Sequence, residues 1–208
     1  MSSRRKRKGT LKMTDLIMHK PTKAEKEARR AERAAQQEAE RQKRIAALPD
    51  SVHGVPVIEM EYTAAGTKKI KEMRRSFTPQ RKAFLKHLAQ TQASVLKALG
   101  LSDNMIAGMA KGCAPNGYNV HHKQPLGGGG KNEFSNFILI KNDPYHTDFH
   151  KVSDVQICKM QPGETKTVKI PYPEGSIFIP PADRERVKAV LNQNAAAAAV
   201  LQKMQKAR

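Results

Sequence analysis

The sequence predicts an α+β fold in which a helical N-terminal region precedes a strand–loop–strand–helix unit, a short β extension and a C-terminal helix. Apolar residues recur at helical spacing after Thr78-Pro79, a pair that suits the N-cap and the first position of a helix. A run of consecutive apolar residues within Asn136 to Lys141 follows a glycine-rich loop and has the character of a buried strand. Helix-favouring residues dominate both ends of the chain.

The charge of the chain indicates a polyanionic partner. Its 208 residues contain 38 Lys and Arg against 19 Asp and Glu, which gives a formal net charge of +19. Such an excess repels a compact chain from itself and is most simply explained by binding to nucleic acid. A membrane surface and an acidic protein are the alternatives. Hydrophobic residues make up 38% and Trp is absent, so we expect a core of modest size.

The positive charge is unevenly distributed along the chain. Residues 1–45 hold 15 basic and 6 acidic residues, 46–117 hold 10 and 5, and 161–208 hold 8 and 4. Residues 118–160 hold 5 and 4, so this segment is nearly neutral among basic neighbours. The contrast indicates that nucleic-acid binding and chemistry are divided between segments.

Cysteine usage and hydropathy exclude several classes of protein. Cys113 and Cys158 are far apart and form no CxxC pair, which excludes a disulfide-stapled miniprotein and a zinc ribbon of four cysteines. The sequence contains no run of 18 apolar residues, so no membrane-spanning helix is predicted. The basic start, Met1 to Lys12, is not followed by the apolar segment of a Sec signal. We therefore expect a cytoplasmic protein, or one exported by a secretion system that needs no Sec signal.

The first half of the chain is expected to contain an arm, a linker and a helical hairpin. Residues 1–48 form a basic arm and a charged helix that is solvated or partly disordered, because its apolar residues are almost all Ala. Residues 49–77 form a linker with one short strand or extended stretch, Val55 to Tyr62. Residues 78–112 form a hairpin of two helices, the second capped by Ser102, which packs on the domain that follows.

The second half contains a domain over residues 113–181 and an Ala-rich C-terminal helix over residues 182–208. Strand periodicity and turn residues give the order of elements within the domain. That order is a strand (118–123), a glycine-rich loop (124–134), a buried strand (136–141), a helix that Asp143 and Pro144 open and that runs to about residue 159, and a β-hairpin or extended cover (161–181).

Four of the seven histidines fall within this domain. His146 and His150 are four residues apart on the predicted helix, so they share one face. His121 and His122 end the first strand, where adjacent side chains point to opposite faces, so only one of them can join a centre with the helical pair. Three imidazoles make an open metal site, and the remaining histidine is then free to act as a general base. The histidines that have no partner at ligand spacing, and are expected at the surface, are His19, His53 and His87.

This arrangement closely resembles the HNH, or ββα-metal (His-Me finger), endonuclease unit. It is especially similar to the His-His branch found in DNase-type colicins and in nuclease domains of polymorphic bacterial toxins and type VI secretion effectors. The resemblance covers about a fifth of the chain and extends more weakly to Pro181. The positions that match in type and order are His121, His122, Pro125, Gly129, Gly130, Asn136, His146 and His150.

The resemblance implies a role for each polar position. His121, His146 and His150 correspond to ligands of one divalent metal ion, which would be Mg, Zn, Ni or Mn. His122 corresponds to the general base that deprotonates the attacking water, and Asn136 to the Asn that braces the loop and orients that base. The implied activity is hydrolysis of phosphodiester bonds, in DNA rather than RNA.

One position departs from the colicin pattern. The DNase-type colicins carry an acidic residue two positions before the His pair and an Arg near the phosphate, whereas Asn119 occupies the acidic position here. The metal preference is therefore expected to differ. A lysine is expected to supply the missing cation, and the three alternatives are Lys123, Lys141 and Lys151. The candidate nucleic-acid contacts are these three lysines and three arginines nearer the N-terminus, namely Lys123, Lys141, Lys151, Arg74, Arg75 and Arg81.

Two other interpretations stay open. The chain can be a non-catalytic nucleic-acid-binding protein whose ββα unit holds a metal only for structure, since the basic flanks alone would support binding. A nuclease of this kind can act as an interbacterial toxin, with a small acidic immunity protein as its partner, or as a phage or housekeeping enzyme. The glycine run before Lys131 is not a P-loop, because GGGGKN lacks the GK[ST] ending and no helix follows it directly.

Overall fold

The computed structural model describes residues 20–206, with side chains over residues 20–196. The basic run within Met1 to Lys12 and His19 lie outside the described residues. The fold is mixed α and β, as the sequence predicts, and the chain divides into two units, residues 1–43 and 44–208. The helices are α1 (Lys23–Ala46), α2 (Thr67–Thr91), α3 (Ala93–Ala98), α4 (Asp103–Ala110), α5 (Thr147–Ile157) and α6 (Arg184–Lys206), and the strands are β1 (Ser51–Val52), β2 (Val55–Thr63), β3 (Tyr118–His122), β4 (Phe137–Lys141) and β5 (Thr165–Pro171).

Helix α1 contains most of the first unit's described residues and buries no side chain. It begins with a reciprocal capping pair: Thr22 N donates to Glu25 Oε2 at 2.7 Å, and Glu25 N donates to Thr22 Oγ1 at 3.2 Å. These two bonds satisfy backbone donors that a helix N-terminus leaves unpaired. The sequence left two alternatives for this segment, a solvated helix or a partly disordered one. Over Lys23–Ala46 the structure shows the solvated helix.

The predicted linker, residues 49–77, is largely regular structure. The predicted strand Val55 to Tyr62 is present as β2, the central strand of a three-stranded antiparallel sheet with the order β1-β2-β5. The predicted helix start at Thr78 is wrong, because α2 begins at Thr67 and contains Pro79. Phe77 packs against the buried helical core just before the proline, so tertiary packing offsets the backbone hydrogen bond that Pro79 cannot make.

Of the two predicted alternatives for residues 161–181, a β-hairpin or an extended cover, the hairpin does not form. The first half of this segment forms β5, which pairs antiparallel with β2 from Val57↔Pro171 to Thr63↔Thr165. Its second half runs beside β4 instead, where Leu139 N donates to Ser176 O at 2.9 Å and Phe178 N donates to Leu139 O at 2.8 Å. The two halves pair with different partners because each finds an exposed edge of an existing strand.

The second unit is organised around strand β4, which is buried on both faces. Phe137 and Leu139 point into a core shared with α2, α3, α4 and α6, while Ile138 and Ile140 point into a cluster with Phe149 of α5. This explains why four consecutive apolar residues stand in one strand, since both pleat faces are covered. The helices contribute to the first of these cores the large, fully buried side chains of Phe84, Leu85, Leu88, Leu96 and Met109.

Helix α5 begins later than its sequence signal indicates. Residues Asn142–His146 form one π turn, Asp143 keeps a non-helical backbone (φ −111°, ψ 135°), and α5 starts at Thr147. Asn142 still belongs to the strand region, because its N–H donates to Gly117 O at 2.8 Å. The chain therefore needs an additional turn between β4 and α5 to change direction. Asp143 does not open α5 as predicted, and its carboxylate accepts a hydrogen bond from Thr147 Oγ1 at 2.9 Å.

The helical hairpin has the predicted cap at its second helix. Ser102 Oγ accepts a hydrogen bond from Met105 N at 3.3 Å and so opens α4. The first helix is interrupted at Gln92, which separates α2 from α3. None of the helices in residues 20–206 combines the length and the apolar character needed to cross a membrane.

Candidate metal centre

Three imidazoles from two elements converge at one point of the second unit. His121 lies on β3 opposite Ile138 of β4 and therefore on the face that α5 covers. His146 ends the π turn and His150 lies in the first turn of α5. One ring nitrogen from each histidine lies within 4.8 Å of the other two. The structure therefore brings together the three residues that the sequence indicates as metal ligands.

The donor set of this trio fits a divalent metal ion. The Nε2 atoms of His146 and His150 are 3.2 Å apart, close to the separation of about 3.3 Å between two nitrogens that each lie about 2.0 Å from a tetrahedral ion. Burial lowers the pKa of His121 well below its ordinary value, with repulsion from His146 and His150 adding to the effect. Burial also lowers the pKa of His146. Neutral imidazole is the form that binds metal.

A carboxylate stands behind one of the three ligands. The Nδ1 atom of His150 is 3.7 Å from Asp154 Oδ1, while its Nε2 atom is the one near His146. The distance is that of an ion pair and is too long for a hydrogen bond, so the carboxylate favours by charge the ring orientation that leaves Nε2 towards His146. Asp154 is not among the site residues predicted from the sequence, although its i, i+4 spacing from His150 on a predicted helix is the signal that would have found it.

His122 points to the opposite face of β3 from His121 and has a different environment. Its ring lies 4.4 Å from the ring of Phe77 in α2, measured between centroids. Its Nε2 atom is 2.8 Å from Asn132 Oδ1. Burial lowers its pKa, and the bond to Asn132 opposes this shift only in part.

The bonds around Asn132 determine the tautomer of His122. Asn132 Nδ2 donates to Met73 O and to Ser76 Oγ, each at 2.8 Å. Because a backbone carbonyl can only accept, these contacts turn the amide so that Oδ1 faces His122. Nε2 of His122 must then carry the proton, which leaves Nδ1 with a free lone pair. Asn132 was not singled out in the sequence, since its partners lie more than 50 residues away on α2.

Asn136 ties the two ends of the glycine-rich loop together. Its Oδ1 accepts from Gln124 N at 2.7 Å, and its Nδ2 donates to Gln124 O and to Lys131 O at 3.0 Å each. All three bonds are to backbone atoms, so the side chain acts as a brace for the loop that follows His122. Asn136 lies at the last residue before β4, one position outside the strand that the sequence predicts it to open.

Glycines are required where the loop folds on itself. A Cβ at Gly130 would collide with the carbonyl group of Gln124, and a Cβ at Gly128 would collide with the ring of Tyr62. The Tyr62 ring comes from β2, so the loop is held between the braced Asn136 and the β2–β5 ribbon. Only glycine allows so close an approach of neighbouring atoms to the backbone without rearrangement.

The trio and His122 open into a single cavity of about 480 Å³. Two of the six predicted nucleic-acid contacts, Arg74 and Lys123, line this cavity. Lys123 is buried, with 9% of its surface exposed, and burial lowers its pKa. The remaining walls are mainly apolar, and their residues include Tyr62, Ile70, Phe77, Leu126, Ile157 and Ile170.

The other four predicted contacts lie elsewhere. Arg75 is exposed on α2, and Arg81 is half-buried with its Nε lacking a hydrogen-bond partner among the described residues. Lys141 is exposed opposite Tyr118, at the far end of the β3–β4 pair from the histidines. Lys151 donates to Asp148 Oδ1 at 2.7 Å. Of the three lysines considered for the missing cation, the cavity therefore contains Lys123.

His53 is more involved in the fold than its sequence context indicates. Its Nε2 atom lies 2.8 Å from Asp148 Oδ2, and its ring lies 4.8 Å from the ring of Tyr145. His53 is half-buried, so the expectation of a surface histidine is wrong. Asp148 thereby links the turn between β1 and β2 to α5, and hydrogen bonds from Lys151 and His53 lower the pKa of its carboxyl. His87 is exposed on α2, as expected.

Comparison with known proteins gives a relative but no function. No protein-family model matches the chain, and no solved structure matches it at a significant level. The chain is 35% identical over 128 residues to the Escherichia coli K12 protein that bears the name "Uncharacterized protein YhhZ". The match covers 61% of this chain but only 32% of that protein, so the chain spans about a third of its relative. A proposal of function therefore rests on the geometry of the site.

Proposed function

We propose that this protein is a metal-dependent endonuclease of the HNH type that hydrolyses phosphodiester bonds in DNA. The observation that carries the proposal is that β3 presents a candidate metal ligand on one face and a candidate general base on the other. His121 joins a convergent imidazole trio on one face, while His122 is held with a free Nδ1 on the other. Both groups open into one cavity. A metal site beside an independent base is the combination that phosphodiester hydrolysis needs.

A metal ion would bind to His121, His146 and His150. When bound, it would supply Lewis-acid stabilisation of the negative charge that develops on the scissile phosphate and on the leaving oxygen. Three imidazole nitrogens favour Zn or Ni among the candidate ions, because Mg prefers an all-oxygen octahedral set. Three protein ligands also leave coordination positions open, which a closed structural site does not.

The remaining residues of the cavity perform complementary tasks. Nδ1 of His122 accepts a proton from the attacking water, and Asn132 holds the ring in the tautomer that makes this acceptance possible. Arg74 and Lys123 supply positive charge for the phosphate. Asn136 maintains the loop after His122 and thereby the position of that base.

The test is nicking of supercoiled plasmid DNA with added Zn, Ni, Mn or Mg, with and without chelator. We expect nicking that chelator abolishes, and a loss of about a hundredfold or more in His122→Ala. His122→Ala should still bind metal, whereas His121→Ala should lose both metal binding and nicking. His87→Ala, which removes an exposed histidine, is the matched control and should cut like the wild type.

Two results would overturn the proposal. Equal cutting by His122→Ala and wild type would remove the assignment of the base. Absence of nicking with every metal, combined with unfolding of the chelated protein, would favour the alternative of a nucleic-acid-binding protein with a structural metal site.

A further inference from the structure

The charges of α1 are sorted onto different sides of the helix. The helix contains eight Lys and Arg and five Glu. At about 100° per residue, seven of these eight cations and one Glu fall within an arc of about 120°. The rest of the circumference holds four Glu, one Lys and every Ala of the helix. We call the first arc the cationic stripe, formed by Lys23, Lys26, Arg29, Arg30, Arg33, Gln37, Glu40, Arg41 and Arg44.

Because of this sorting, one side of α1 is strongly charged although the net charge of the whole helix is small. The net charge of α1 is +3, but the cationic stripe carries +6 and the remaining circumference carries −3. From Lys23 to Arg44 the stripe is about 32 Å long at 1.5 Å per residue. That length is close to one turn of a B-form duplex, roughly 34 Å.

Packing explains little of the stripe. Arg41 is half-buried and bonds to Glu38 Oε1 at 2.6 Å, but no residue of α1 is buried, and Lys26, Arg30 and Arg33 are exposed. Cations three and four residues apart repel one another, so this arrangement destabilises the free helix. A partner that carries closely spaced negative charge would remove the repulsion.

The opposite side of the helix argues against other partners. A helix that binds a membrane surface needs large apolar residues facing the lipid, but the side opposite the stripe contains Ala and Glu. Protein interfaces depend on buried aromatic and large apolar residues, and α1 has no aromatic residue and a single Ile. What remains is an interaction carried by charge alone, which suits the sugar–phosphate backbone of nucleic acid.

We propose that the cationic stripe of α1 is a binding surface for the phosphate backbone of nucleic acid, independent of base sequence. Each stripe cation that neutralises a phosphate releases a condensed counterion, so the affinity should fall steeply as salt increases. This inference does not depend on the proposed nuclease chemistry, because it concerns binding by residues outside the metal centre.

The experiment compares two triple variants of the full chain with the same change of net charge. The stripe variant is Lys26→Gln/Arg30→Gln/Arg33→Gln, and the matched control is Ala28→Glu/Ala31→Glu/Ala35→Glu on the opposite side. Each lowers the charge of α1 by three with residues that favour helix, and circular dichroism checks that the helix is retained. Binding to a short fluorescently labelled DNA duplex is measured by anisotropy over a range of salt concentrations. Chelator is present throughout, so no cutting contributes.

We expect the stripe variant to lose more than about tenfold in affinity near physiological salt, and the slope of log K against log salt to shrink by about 2 to 3. The control should keep the slope of the wild type. Equal losses in both variants would mean that only the net charge matters, and unchanged binding by the stripe variant would mean that nucleic acid binds elsewhere on the chain. Either result overturns the proposal, and neither depends on whether the protein cuts DNA.

Discussion

The Nδ1 atom of His150 lies 3.7 Å from a carboxylate oxygen of Asp154, one helical turn further along α5. This places a negative charge behind the imidazole whose other nitrogen approaches His146. This distance is that of an ion pair and is too long for a hydrogen bond, so the carboxylate acts on the orientation of the ring through charge. Asp154 was absent from the sequence-based set of site residues, yet its geometry makes it a candidate positioning residue for the proposed metal centre.

Replacing Asp154 with Asn should therefore weaken metal binding. We expect a loss of about tenfold in affinity, at the low end of the effect of losing a carboxylate that orients a ligand, because both side chains are partly solvated. Isothermal titration with Zn measures it. Asp148→Asn is the matched control on the same helix, since Asp148 contacts His53 and Lys151 instead. A metal affinity in Asp154→Asn equal to that of the wild type would show that the carboxylate does not hold the ligand.

Arg74 and Arg75 are neighbours on α2 that should differ in importance for cutting. Arg74 lines the cavity with the histidines, whereas Arg75 is exposed outside its lining. Losing a charge-assisted contact to the substrate phosphate costs about 1.5–3 kcal/mol, so Arg74→Gln should lower kcat/KM for nicking by about tenfold to a hundredfold. Arg75→Gln removes the same charge and should stay within about threefold of the wild type. Similar effects in both variants would indicate a general electrostatic role only.

A methyl group at Gly130 should destabilise the loop. Its Cβ would meet the backbone of Gln124, which Asn136 holds in place and which cannot move as a flexible side chain could. We expect Gly130→Ala to lower the free energy of unfolding by about 1–3 kcal/mol in urea denaturation. Gly108→Ala is the control, because it lies in α4 with nothing within 4 Å of the added Cβ. That variant should be neutral or gain up to about 1 kcal/mol.

The stability of the metal-free protein should fall in mild acid. Burial lowers the pKa of His121, His122 and His146 in the folded chain, so the unfolded chain binds more protons below its ordinary histidine pKa of about 6.5. The free energy of unfolding is then largest above this pH and decreases as the pH falls from about 6.5 towards the folded values, by about 1.4 kcal/mol per pH unit for each extra proton.

Urea denaturation between about pH 8 and pH 5 in the presence of chelator measures this dependence. His121→Gln removes the most strongly shifted group, so its unfolding free energy should change less steeply with pH than that of the wild type. An unchanged pH profile in His121→Gln would contradict the assignment of the effect to this residue.

The directions of the four clustered histidines were predictable because they depend on local periodicity, whereas the approach of His121 to the helical pair depends on the packing of α5 against β3 and β4. The i, i+4 spacing places His146 and His150 on one face wherever the chain turns helically there. The adjacent pair on β3 must separate onto two faces in any strand. This is why the sequence indicates the trio and the separate base although the start of α5 differs by several residues. The solvated helix α1 was predictable for a similar reason, since its propensity and capping pair lie within the segment.

The contacts that only the tertiary structure decided join residues distant in sequence. Asn132 acquires its role from Met73 and Ser76 on α2, and His53 reaches Asp148 across 95 residues. The pairing of β2 with β5 and the passage of α2 through Pro79 likewise depend on packing that no local pattern encodes. Local periodicity therefore determined the directions of the side chains in the candidate site, because backbone geometry alone sets them. The free energy of the whole fold decided which distant groups orient them, because each such contact must offset the entropy of closing a long loop.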